Sequence, residues 1–354
     1  MNAITCVPLQ NFHEIVGTVQ TNCHITDARH AQDMSMCIFL LEMREYYRWE
    51  YTIPFAENLP KEDLGSWMIE REQLWATLEE QAYQPLVLSS GAQDPFDVAA
   101  INRDLLPQGY VYSAGLGRFR RPHFFLGRLH HAQQRDGFEV LIADCEYARD
   151  LIAPPAALQG NTIYIRREAV KSFLWTKVEE WNWKQQDNAL GRALSYYDFK
   201  QQPDVELERM TEAESETMIL HELGEGQAGH LLNDEAWNEM LITCSRHRPE
   251  LYARAVRDNL ADCLVTLPTL MADESSHASL HFYFANFEGM RKKLFPLLVS
   301  AYQTWVKQGD LQVLQQAVVR GRAHWLKTGQ QMIEARQAGV TDTRLVEIGE
   351  GAGL

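Results

Sequence analysis

The stretch Thr162-Ile163-Tyr164-Ile165-Arg166 runs directly into Arg167-Glu168-Ala169-Val170-Lys171-Ser172-Phe173-Leu174. Its first half is rich in β-branched and aromatic residues, as strands are, while Val170, Phe173, Leu174, Val178 and Trp181 recur at helical spacing. The change of period divides the chain. Upstream lie further strand signals at Tyr110–Ala114, His123–Leu129 and Phe138–Ala143, with Arg135-Asp136-Gly137 supplying turn chemistry. Their short connections leave no room for crossover helices, so an antiparallel sheet is predicted. Downstream the pattern stays helical. The expected fold is therefore α+β and predominantly α, a small antiparallel sheet followed by a helical C-terminal bundle.

Working outward, two helices precede the sheet. One is expected within 26–50, where Met34, Cys37, Ile38 and Leu41 recur and Thr26 and Asp27 stand as caps. Pro60 opens the other, with Leu64, Trp67, Met68, Trp75 and Leu78 as its stripe. Residues 84–108 read as a connection with a short helix within 95–105. Beyond the sheet, Thr211 and Glu214 form a capping-box pair that predicts a helix starting at Glu212. The expected organisation is 1–166 for the N-terminal helices and sheet, 167–339 for the bundle, and 340–354 as a flexible tail.

Composition restricts the function. Of 354 residues 45% are apolar, enough for a sizeable core, and the net charge of −15 opposes binding along a polyanion or an anionic lipid surface. Neither nucleic acid nor a membrane is an expected partner. No export signal or spanning run is read, and six cysteines without a CxxC pair fit reduced thiols in the cytoplasm.

The segment His221-Glu222-Leu223-Gly224-Glu225-Gly226-Gln227-Ala228-Gly229-His230 carries the chemistry. On a helix His221 and Glu225 share one side, and three glycines, each costing about 1 kcal/mol relative to alanine, imply that close backbone approach is wanted. Asp258 and Asp262 are spaced i, i+4 beside an apolar face. Glu274 and His277 form an ExxH pair, and His281 follows one turn later.

The His221-Glu222 segment resembles the zincin metalloproteases, more narrowly the metzincin pattern HExxHxxGxxH, although Glu225 stands where the second histidine belongs. That resemblance implies Glu222 as the general base on a zinc-bound water. The three clusters together resemble the ferritin-like di-iron and di-manganese sites, in which Glu and ExxH groups converge inside a bundle. The expected ligands are His221, Glu225, Asp262, Glu274, His277 and His281, with Glu222 as the catalytic group. The expected cofactor is a divalent metal, iron favoured over manganese or zinc.

The leading expectation is a metal-dependent enzyme, a non-haem iron oxidoreductase acting on a small-molecule substrate. A zinc-dependent hydrolase using Glu222 and a non-catalytic binding or assembly protein are the alternatives, and homo-oligomerisation is left open. A second segment, Gly115 to His123, offers Arg118, Arg120 and Arg121 as an anion-binding loop, against the plainer reading of a hairpin turn with solvated arginines.

Overall fold

The computed structural model describes residues 11–117, 120–244 and 247–354. It divides into two units. The first reaches Thr176 and includes Pro203–Glu208, and the second comprises Lys177–Gln202 and Arg209–Leu354.

The first unit opens with α1 (Phe12–His30), α2 (Met36–Glu50) and α3 (Lys61–Leu78). The helix expected across 26–50 is thus two helices broken at 31–35, and α1 begins well before Thr26. Asp27 is no cap: it is fully buried and accepts hydrogen bonds from Leu151 N at 2.9 and 3.0 Å. A short hairpin follows, β1 (Leu86–Leu88) and β2 (Gly91–Gln93), and then α4 (Val98–Leu105), capped by the Asp97 side chain.

The main sheet comprises β3 (Tyr110–Leu116), β4 (Pro122–Arg135), β5 (Phe138–Arg149), β6 (Ala156–Gln159) and β7 (Thr162–Arg166), in the order β3-β4-β5-β7-β6. Asp136 and Gly137, at φ 50° and 88°, make the tight β4–β5 turn whose two central residues need positive φ. One pairing departs from the antiparallel expectation, since β5 and β7 run parallel. The connection between them contains β6, four residues long, which pairs with the outer side of β7. Ile15, Val19 and Cys23 of α1 pack with Tyr112, Phe124 and Leu126 of β3 and β4 in one core cluster.

Helix α5 (Arg167–Lys184) begins in this unit. The second unit contains α6 (Ala189–Leu194), most of α7 (Pro203–Leu232), α8 (Asp234–Ile242), α9 (His247–Ala261), α10 (Leu267–Ala272), α11 (His277–Asn286), α12 (Gly289–Leu294), α13 (Pro296–Gln308), α14 (Leu311–Gln337) and α15 (Asp342–Glu350). Between α9 and α10 the backbone widens into a π-turn over Asp262–Thr266. Trp237, Tyr252, Leu260, Phe287, Phe295 and Trp325 lie in its core.

Two expectations are corrected here. Helix α7 starts at Pro203, not Glu212: proline fits the first helical turn, where its missing N–H costs nothing, and Asp204 and Glu206 favour the same end. Thr211 is consequently buried within the helix. Residues 340–354, expected as a flexible tail, contain α15, whose Leu345 is buried, and Leu354 N donates to Leu294 O at 2.9 Å. No helix among the described residues is long and apolar enough to cross a membrane.

Candidate metal site

Helix α7 approaches α9 through Gly224. A β-carbon at Gly224 would stand 2.4 Å from Ala261 O, so only glycine permits this spacing. The close approach expected from the glycines is observed here. It places His221 and Glu225, on either side of Gly224, opposite Asp258 and Asp262, on either side of Ala261.

Ligand atoms of His221, Glu225 and Asp258 lie within 4.8 Å of one another. His221 Nδ1 is 2.8 Å from Asp262 Oδ1, which leaves Nε2 as the nitrogen able to ligate. Asp262 is nearly inaccessible. It also accepts from Tyr283 Oη at 2.8 Å and pairs with Arg291. Glu225 Oε2 is 2.7 Å from Arg257 Nε, and Arg257 reaches Asp234 at 3.1 Å, whereas Glu225 Oε1 is buried with no hydrogen-bond partner.

These contacts set the protonation states. Burial disfavours a charged His221, but the Asp262 carboxylate outweighs it and lifts the imidazole to about 10. Burial would likewise raise Asp262, yet Arg291 and His221 hold it at about 2. Glu225 is pushed up, first by burial and then by Asp258.

The expected ligand set is therefore regrouped. His221 and Glu225 meet, and Asp258 completes the group in place of Asp262, whose carboxylate already serves His221, Tyr283 and Arg291. The i, i+4 aspartate pair was visible in the sequence. Which member would face α7 was not, because that depends on where the helices cross. Glu222 lies close enough to raise the pKa of both His221 and Glu225 by its charge.

Glu274, His277 and His281 do not join the group. Glu274 is exposed in a 3-10 turn capped by Asp273. The His281 ring stacks on Trp305 at 4.9 Å, with Nδ1 3.0 Å from Tyr302 Oη, and His277 meets the same indole edge-on at 5.1 Å. Burial, then the charge of Arg192, lowers His281 to about 4, so it stays neutral within an aromatic cluster.

The arginine loop is also corrected. Arg118 lies outside the described residues. Arg120 occupies the turn at φ 59°, exposed, and Arg121 is buried with Nη2 3.0 Å from Asp27 Oδ1. A guanidinium committed to a buried carboxylate is not free for an external anion.

Residues 14–166 match the N-terminal domain, and residues 171–348 the C-terminal domain, of a family of unknown function, DUF6866. The chain belongs to this family. His221, Glu225, Asp258 and Asp262 all fall within the DUF6866 C-terminal domain. No curated protein and no solved structure matches the chain.

Proposed function

We propose that the C-terminal unit binds one divalent cation through His221, Glu225 and Asp258, and that the protein is a non-haem iron oxidoreductase acting on a small-molecule substrate. The observation that carries this reading is that Glu225 Oε1 is buried without a hydrogen-bond partner, on a residue that shares a 4.8 Å group of ligand atoms with an imidazole and a second carboxylate. A buried carboxylate oxygen left unpaired costs free energy that a cation would recover.

The donor set fits such an ion. One imidazole and two carboxylates are borderline-to-hard ligands, suited to iron, manganese or zinc rather than to thiophilic metals. Asp262 would orient His221 from behind, as carboxylates do for ligating histidines. His221 must surrender a proton to ligate, so binding is coupled to proton release. A two-metal version receives no support, because Glu274 is exposed and His277 and His281 pack against Trp305 outside the group.

A bound iron would supply one-electron redox chemistry. Glu222, adjacent to His221 in the chain, is the residue for proton transfer at the site. The free cysteines Cys23, Cys37, Cys145, Cys244 and Cys263 support a reducing, cytoplasmic setting. Glu222 also keeps the zinc hydrolase as the second reading, distinguished by which metal restores activity.

The test is elemental analysis of untagged protein purified without chelator, followed by titration with Fe(II), Mn(II) and Zn(II). One equivalent of iron is expected, together with a new visible absorption on exposure to oxygen. Asp258→Asn should abolish binding and His281→Ala should not. Failure of all three metals to bind, or binding unaffected by Asp258→Asn, refutes the site. Zinc-restored hydrolysis lost in Glu222→Gln would select the hydrolase.

A further inference from the structure

The first unit contains a cavity of about 380 Å³ that is separate from the metal group. Its apolar wall includes Trp49, Ile53, Phe55 and Leu207, and charged side chains of both signs complete it. Most of those charges are already matched. Glu45 lies 2.9 Å from Arg44 Nε and 3.4 Å from Arg48 Nε, and Glu208 pairs with both Arg167 and Lys171.

Arg149, whose one ion pair is long, Glu168 and the exposed Asp204 are the lining charges without a close ionic partner among the described residues. Arg149, 3% exposed, donates from Nε to Asp150 O at 3.3 Å, with Glu146 3.8 Å from the same nitrogen. Its terminal amino groups have no acceptor among the described residues. Its guanidinium carbon lies 5.7 Å over the Trp49 ring and 5.9 Å over that of Tyr46. Glu168 accepts from Glu146 N at 2.6 Å and has no ion-pair partner among the described residues. Burial and the neighbouring Glu146 raise its pKa, and the charge of Arg149 acts in the opposite direction, so the two groups are near each other without pairing.

We propose that this cavity binds a free α-amino acid with a large apolar side chain, its carboxylate on Arg149, its ammonium on Glu168 and its side chain against Trp49 and Phe55. A guanidinium fork is suited to a planar carboxylate. A half-buried carboxylate without an ionic partner is suited to an ammonium, which returns it to the charged state. A purely anionic ligand would meet Glu168 and a purely cationic one would meet Arg149, so each would suffer a repulsion that the zwitterion avoids. The volume and the aromatic wall fit a small ligand with an apolar body.

The experiment is calorimetric titration of the full chain with L-phenylalanine, 2-phenylethylamine and 3-phenylpropionate. Saturable binding of one L-phenylalanine per chain is expected, with each truncated ligand weaker by at least about tenfold. Glu168→Gln, which keeps an acceptor for Glu146 N, should weaken L-phenylalanine to the same degree while sparing 3-phenylpropionate. Arg149→Lys should weaken L-phenylalanine and spare 2-phenylethylamine. Thermal melts confirm folding, and if the buried Arg149 variant does not fold, the ligand series and Glu168→Gln suffice. No binding of L-phenylalanine, a truncated ligand binding equally well, or an unchanged affinity in Glu168→Gln would each overturn the assignment.

Discussion

Gly224 and Ala261 are held so close that a single methyl group at Gly224 would lie 2.4 Å from the Ala261 carbonyl oxygen, a rigid backbone atom with nowhere to move. The Gly224→Ala variant should therefore lose about 1–3 kcal/mol of stability, the usual cost of overpacking, despite its better helix propensity. Urea denaturation reads the loss. Metal titration of the same variant should show weakened binding, because separating α7 from α9 moves His221 and Glu225 away from Asp258.

Asp262 neutralises Arg291 in a setting where Asp262 is 1% exposed. Asp262→Asn should cost about 3 kcal/mol, the low end for breaking a buried pair because Arg291 is partly solvated. Adding Arg291→Met should restore part of that loss. A double-mutant cycle by chemical denaturation measures the coupling, and additive effects would show that the pair contributes nothing.

Glu214 is buried and accepts from Ser279 Oγ at 2.7 Å, and burial raises its pKa from the ordinary carboxylate value to about 7. A carboxyl that binds its proton more tightly in the folded state loses stability as pH rises from the unfolded value through the folded one. Glu214→Gln should thus be neutral near pH 4 and stabilising above pH 7, by up to about 3 kcal/mol. Melting temperatures of both proteins across pH 4 to 8 should diverge upward; parallel curves would contradict the assignment.

Among the described cysteines Cys37 is exposed, whereas Cys23 and Cys263 are buried with thiol pKa values pushed well up, chiefly by burial. In a Cys6→Ser background, native protein should show a fast reaction with a disulfide reagent that disappears on adding Cys37→Ser. Cys23 and Cys263 should react only on unfolding.

The strands were legible because their residues alternate or cluster by type and Asp136-Gly137 specifies its turn. The strand-to-helix switch at Arg166 and Arg167 was legible for the same reason. Helix α1 was not, since Asn22, Cys23, His24, Ile25, Thr26 and Asp27 are all buried and a helix enclosed on every side shows no apolar stripe. Strand β6 was too short to register. At the candidate site, local spacing paired His221 with Glu225 and Asp258 with Asp262, but the partner across the crossing depends on a backbone approach that no local pattern records. His277 and His281 illustrate the same ambiguity, for a histidine among aromatics reads identically whether it faces an ion or an indole.

The π-turn at Asp262–Thr266 can be understood as one extra residue accommodated within an otherwise continuous rod. Each residue advances an α-helix by about 100°. Forcing these same residues into unbroken α-helix would rotate everything beyond the segment by about one residue's turn. Leu267, Leu270 and Met271, now buried, would turn away from the interior while Asp258 stayed in place. The bulge therefore works as a phase shifter: it lets one length of chain point a carboxylate at α7 and, two turns later, point leucines into the core, a combination that an unbroken helical period would not deliver.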